Sequence, residues 1–152
     1  MRAIPTDEPS FKGIIFDCDG VLIDSERIAC QVLRDMLREL GWQIGFDEVV
    51  RRFKGLNAPD MVAAIEEQLG QPLASDFKDE ELRRCEIRFA AELAPIPGMV
   101  EILRGLELPR CVASSSEPRR LMPCLAMTGI DHACENVPVA SNTCTRPVLS
   151  MT

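Results

Sequence analysis

Gly13-Ile14-Ile15-Phe16 is an unbroken apolar run that ends on Asp17-Cys18-Asp19-Gly20, and this junction constrains the chain more than any other stretch. A short apolar run bounded by turn residues reads as a strand buried on both faces, the kind found inside a parallel sheet. Strand residues i and i+2 point to the same side, so Asp17 and Asp19 stand together at its end. Two carboxylates crowded at one spot repel. They need a cation, or a division of labour between acid and base. Gly20 lets the backbone turn sharply and lets an anion come close. An Asp-Gly turn after a strand is common in itself; the continuation Val21-Leu22-Ile23-Asp24-Ser25-Glu26 makes this one more specific.

The strand covers 11–16. Asp24 or Ser25 caps the helix that follows, with Ile28, Val32, Met36 and Leu40 on one face and Gly41 as its stop. A second helix covers 47–53. Pro59 suits the first turn of a third, with Met61, Ile65 and Leu69 facing inward. Ser75 caps a fourth, whose apolar stripe is Leu82, Cys85, Phe89 and Leu93 and whose wet face pairs Asp79 with Arg83 and Glu80 with Arg84. No strand pattern interrupts 25–93. Pro95-Ile96-Pro97-Gly98 marks the return, followed by a helix over 99–106 and a second strand over 110–114 that ends on Ser114-Ser115-Ser116. Pro118 opens a last helix running towards Gly129, which Pro123 should kink or end early.

Strand, helical insert, helix, strand, helix is the order of a doubly wound α/β sheet interrupted by a lid. The expected organisation is an α/β core over 1–23 and 95–132, a helical cap over 24–94, and a tail over 133–152. Ligands in such sheets sit at the C-terminal ends of the strands, where Asp17 and Ser114 fall.

Composition narrows the partners. The 17 basic residues are outnumbered by 24 acidic ones, for a net charge of −7, and they are scattered. Nothing there suggests a nucleic-acid footprint, and a chain this acidic would need a local cation to bind an anionic ligand against its own field, for which a divalent metal would serve. No apolar run approaches a membrane span, and the N-terminus has no apolar signal region. The 7 cysteines form no Cys-x-x-Cys pair and read as small hydrophobes in a reduced, cytoplasmic protein.

The segment FDCDGVLIDSE, residues 16–26, resembles the first motif of the haloacid dehalogenase-like hydrolases, in the subfamily with an inserted α-helical cap. Dehalogenases proper lack the second aspartate, whereas phosphatases and phosphomutases have it, so Asp19 points to phosphoryl transfer. The resemblance implies an aspartyl-phosphate on Asp17, with Asp19 protonating the leaving oxygen and then activating water. It implies Mg2+ held by Asp17 and Asp19. Ser114 resembles the second motif, a hydroxyl that donates to the transferring phosphoryl; Ser115 and Gly20 join it as phosphate-binding residues, while Ser116 reads as a helix cap. Lys54, before Gly55 in a cap loop, would take a second anionic group, or would only end a helix. Ala58 stands where β-phosphoglucomutases carry an arginine. His132 reads as an ordinary surface or loop residue.

The resemblance covers roughly 11–132 and then stops. The family uses two further motifs, a lysine or arginine and an acidic pair. After Ser114 the only acids are Glu117, Asp131 and Glu135, no lysine follows Lys78, and Arg146, before Pro147, is the only basic residue beyond Arg120. A truncated gene or a frame shift near Cys134 is the expectation, leaving an incomplete sheet. One edge of the first strand would then be bare, to be covered by the tail or by a second copy in a homodimer. The expected activity is a magnesium-dependent phosphatase for a small phosphorylated metabolite, such as a sugar phosphate or phosphoglycolate. The alternatives are a catalytically impaired fragment and a β-phosphoglucomutase-like enzyme.

Overall fold

β1 (Ile14–Asp17) pairs in parallel with β2 (Arg110–Ser114), Ile14 opposite Arg110 and Asp17 opposite Ala113. The computed structural model describes residues 12–114, 116, 118–130 and 139–141. Within them β3 (Val139–Ser141) pairs in parallel with the other side of β2, giving the order β1-β2-β3. This strand was not legible in the tail, and it does not cover the outer edge of β1. Nor is β1 buried on both faces as its apolar run implied: it starts at Ile14, and Ile15 is 72% exposed while Phe16 packs against the core. An edge strand of a small sheet has a well-packed face on one side only.

After β1 the chain turns tightly. The Cys18 carbonyl accepts from the amides of Leu22 (2.9 Å) and Ile23 (3.1 Å), and the Gly20 amide donates to the Ile23 carbonyl (2.9 Å). Gly20 has φ +75°, a left-handed conformation that glycine adopts without steric cost.

Four helices follow: α1 (Ser25–Glu39), α2 (Phe46–Phe53), α3 (Ala58–Leu69) and α4 (Phe77–Glu92). Their apolar spacing places Ile28, Val32, Leu33, Met36 and Leu37 of α1 inside, with α1 packed against α2 and α4. Each fully buried aliphatic contributes about 1.5–3 kcal/mol, so this face rather than propensity holds the helices.

The caps differ from expectation. Asp24 is the N-cap of α1 without a side-chain cap bond and pairs instead with Arg27. The N-cap of α4 is Asp76 rather than Ser75. Asn57 does cap α3, accepting from the Asp60 amide at 2.9 Å.

In α4 the buried stripe is Phe77, Glu81, Cys85 and Phe89, and Leu82 is 42% exposed. Glu81 takes the position one residue earlier by pairing with Lys78. Arg83 pairs with Glu80 at 2.7 Å rather than with Asp79, and Arg84 joins Glu80 to Glu39 of α1.

The four-helix segment leaves and re-enters the core at one place. The Asp24 amide donates to the Ala94 carbonyl (3.0 Å), the Ile96 amide to the Leu22 carbonyl (2.9 Å), and Ile23 forms an antiparallel bridge with Pro95. Next come α5 (Met99–Gly105), with Leu103 fully buried, then β2 and α6 (Pro118–Met127). Pro123 does not end α6, which continues to Met127; close to the start of the helix, it forfeits one intrahelical bond. Arg120 of α6 lies over the Phe89 ring of α4, 5.3 Å from its centroid.

Candidate active site

Asp17 is the last residue of β1, exposed at the strand's C-terminal end, with one carboxylate oxygen accepting the Cys18 amide at 2.8 Å. Two residues on, the half-buried Asp19 carries the densest hydrogen bonding in the region. Its Oδ1 accepts from Ser25 Oγ at 2.6 Å; its Oδ2 accepts from Ser116 Oγ at 3.1 Å and Ser114 Oγ at 3.3 Å. Ser114 is buried at the end of β2, and its Oγ also accepts the Ser116 amide at 3.0 Å. A carboxylate only accepts, so all three hydroxyl protons point at Asp19.

The structure thus brings Asp17, Asp19 and Ser114 to adjoining strand ends, as expected. Two members of the cluster were not anticipated. Ser25 and Ser116 both read in sequence as helix caps. The tertiary fold makes them ligands of a carboxylate, and for Ser116 that carboxylate lies 97 residues away. A serine directly following a candidate catalytic turn was the one available signal.

Gly20 adjoins a second group. A Cβ on it would lie 2.7 Å from Glu26 Oε2, and that same oxygen is 2.6 Å from Lys54 Nζ. The hydrogen bond and charge of Glu26 raise the Lys54 pKa. Lys54 therefore reaches the site through Glu26. It also ends α2, its amide donating to the Val50 carbonyl at 3.1 Å, and Gly55 follows at φ +84°. A cleft of about 290 Å³ runs past Gly20, Asp24, Glu26, Arg27, Lys54 and Ile96. Ser115 and His132, together with Arg146, lie outside the described residues.

Cys18, between the two aspartates, is fully buried, and that burial, followed by the charge of Asp19, pushes its thiol up to about 12. A thiolate is the nucleophilic form, so the Cys18 thiol stays in its unreactive, protonated form at neutral pH. Cys18, Cys30, Cys85, Cys111 and Cys124 are free thiols.

Among the described residues no group of three or more His, Cys, Asp or Glu could hold a metal by itself. Mg2+ asks for less: one or two carboxylates, with waters and phosphate oxygens completing its octahedron. Asp17 and Asp19 fit that partial set. Asp19 has about four acceptor positions and accepts three hydroxyls, leaving room for one more partner.

A model of haloacid dehalogenase-like hydrolases matches residues 14–147, continuing past the point near residue 132 where the motif resemblance ends. A 6-phosphogluconate phosphatase of Escherichia coli K12 is 29% identical over 123 residues, 80% of this chain and 55% of that protein. Among solved structures, a haloacid dehalogenase-like protein of unknown function from Agrobacterium tumefaciens superposes with a TM-score of 0.79 at 33% identity, covering 87% of this chain and 59% of that one. A hydrolase from Deinococcus radiodurans with bound phosphate and sodium gives 0.72 at 28% identity, covering 86% and 58%. The chain spans about half the length of the curated relatives it matches.

Proposed function

The chain belongs to the haloacid dehalogenase-like hydrolases, and from that premise we propose that it is a magnesium-dependent phosphatase for a small phosphorylated metabolite. The observation that carries this reading is the Asp19 carboxylate, set two residues after Asp17 and held by hydroxyls from both sides of the strand ends. Asp17 attacks phosphorus in line, and its new O–P bond forms as the ester O–P bond breaks. Asp19 gives a proton to the leaving alkoxide, then takes one from the water that hydrolyses the aspartyl-phosphate. Ser114 turns its hydroxyl to a phosphoryl oxygen. Bound at Asp17 and Asp19, Mg2+ would supply positive charge against the phosphate.

Residues 24–94 serve as the cap, closing over the strand ends and excluding bulk water. The cleft beside Gly20, with Lys54 and Arg27 on its wall, suits a substrate with a second polar or anionic group. A sugar phosphate or phosphoglycolate has that form, and one relative is a 6-phosphogluconate phosphatase. Ala58, the first residue of α3, supports hydrolysis over mutase chemistry. The free thiols are in keeping with a cytoplasmic location.

A second reading, a catalytically impaired chain, is favoured by the lack of a third acidic ligand among the described residues. It carries with it a homodimer through the outer edge of β1. Magnesium-dependent hydrolysis of a generic aryl phosphate, with Asp17→Asn as the control, separates the two. Turnover no faster than the control rejects the phosphatase.

A further inference from the structure

A second opening lies wholly within the four-helix segment. Ala29, Cys30 and Leu33 of α1, Phe53 of α2 and Met61 of α3 line a pocket of about 160 Å³, joined by Glu81 of α4. Glu26, Cys30 and Lys54 stand in the walls of both this pocket and the cleft beside Gly20. The Glu26–Lys54 pair, closed at 2.6 Å, is therefore part of the wall that the two share.

The carboxylates of this wall are matched. Glu26 is held by Lys54, and Glu81 by Lys78. Burial, followed by the charge of Glu26, raises the Cys30 pKa above its ordinary value, so the thiol is neutral at neutral pH. What is left to an occupant is hydrocarbon, one aromatic ring and the soft sulfurs of Cys30 and Met61. The ring is held in place: Phe53 packs edge-to-face on Trp42, centroids 6.0 Å apart.

Water is a poor occupant of such a space, because a bound water needs about two to four polar partners. An ionised group would lose its hydration without gaining a counter-charge, unless it broke one of the ion pairs. An apolar cavity of about 150 Å³ is large enough for benzene, and this pocket has that size. Protein interiors hold few gaps larger than a water molecule, and a ring seated here regains contacts that the wall otherwise lacks.

We propose that the pocket between α1, α2 and α3 is a binding site for an uncharged, ring-sized apolar molecule, a small arene being the type. Nothing in it depends on the phosphatase reading.

The test titrates the full chain, with isotope-labelled methionine methyls, with fluorobenzene. Met61 lies in the pocket wall, whereas Met122 and Met127 of α6 are about half exposed and report non-specific partitioning. Fluorobenzene should shift the Met61 signal saturably, at about the millimolar concentrations that a ligand of so few atoms requires, while Met122 and Met127 move little. Trp42, the only tryptophan, should change its fluorescence with the same midpoint through Phe53. Benzoate and benzylammonium should each bind at least about tenfold more weakly. Ala29→Leu, which fills the pocket, should weaken fluorobenzene by at least about tenfold.

A Met61 signal that moves no more than those of Met122 and Met127 overturns the site, as does undiminished binding to a folded Ala29→Leu. Benzoate or benzylammonium binding as tightly as fluorobenzene overturns the uncharged class. If Ala29→Leu does not fold, the comparison of Met61 with Met122 and Met127 in the wild type still decides.

Discussion

Glu26 fills the space that a side chain on Gly20 would need: its Oε2 lies 2.7 Å from the place of the missing Cβ. The turn after Asp19 therefore requires glycine for its φ of +75°, and a Cβ there would also displace the movable end of the Glu26 side chain. That carboxylate in turn holds Lys54 at 2.6 Å.

Gly20→Ala should cost about 1–2 kcal/mol through the left-handed backbone alone, while the end of the flexible Glu26 chain swings aside. Urea denaturation measures the loss. Adding Glu26→Ala removes the contact but leaves the backbone penalty, so most of the destabilisation should remain in the double variant. Full recovery would assign the cost to the contact.

Lys54→Met breaks an ion pair whose partners are both more than one-third exposed, and such pairs contribute little. Thermal melting should be unchanged. The expected effect is on recognition: KM for a phosphorylated carboxylate such as 6-phosphogluconate rises several-fold, while an aryl phosphate is unaffected. An equal rise for both substrates would show that Lys54 acts on the shape of the cleft and not on a second anionic group.

Asp19→Ala leaves the buried Ser25 hydroxyl without its acceptor. Stranding a buried polar group costs about 1–3 kcal/mol, so this variant should be less stable than the wild type in urea even though it also removes a negative charge two residues from Asp17. A gain in stability would mean that carboxylate repulsion outweighs the three hydroxyl contacts.

Cys85 is buried, and that burial, with the nearby Glu81 charge second, pushes its thiol from 9.0 up to about 11. The neutral thiol is the form the fold favours. Its contribution is therefore complete below pH 9, where the unfolded thiol is also protonated, and is lost as pH rises through about 11. The shift corresponds to on the order of 2–3 kcal/mol. Urea midpoints taken from pH 8 upward should fall, and Cys85→Ala should make that fall shallower. An identical slope in the variant would place the titration elsewhere.

Ile15 is 72% exposed on an edge strand, the kind of surface that invites strand-to-strand association. Ile15→Lys should reduce any concentration-dependent mass increase in sedimentation velocity without changing the thermal midpoint by more than a degree or two. If the wild type is monomeric at the highest concentrations, the homodimer through this edge is excluded.

Local signals were legible where local physics decides the outcome. The apolar runs ending on Asp17 and Ser114 gave the two parallel strands, and Pro59 gave the first turn of α3, whose C-cap in the structure is Gly70. Leu82 was misassigned because hydrophobicity alone cannot foresee that Glu81, neutralised by Lys78, takes the buried position. β3 is three residues long, too short for any period to register. Ser25 and Ser116 escaped notice for a different reason. Their role is defined by convergence on Asp19, and a lone serine has the same sequence context whether it caps a helix or serves a distant carboxylate.

The crossing at 22–24 and 94–96 has an evolutionary consequence. Because the outgoing and returning strands are hydrogen-bonded to each other, the sheet registers only a short staple, whatever length of chain lies beyond it. Closure entropy grows slowly with loop length, so the segment can be exchanged like a cassette. One core can then take up a different helical segment without its strands being re-paired, and grafting a relative's counterpart of 25–93 onto this staple should leave the β1–β2 pairing intact.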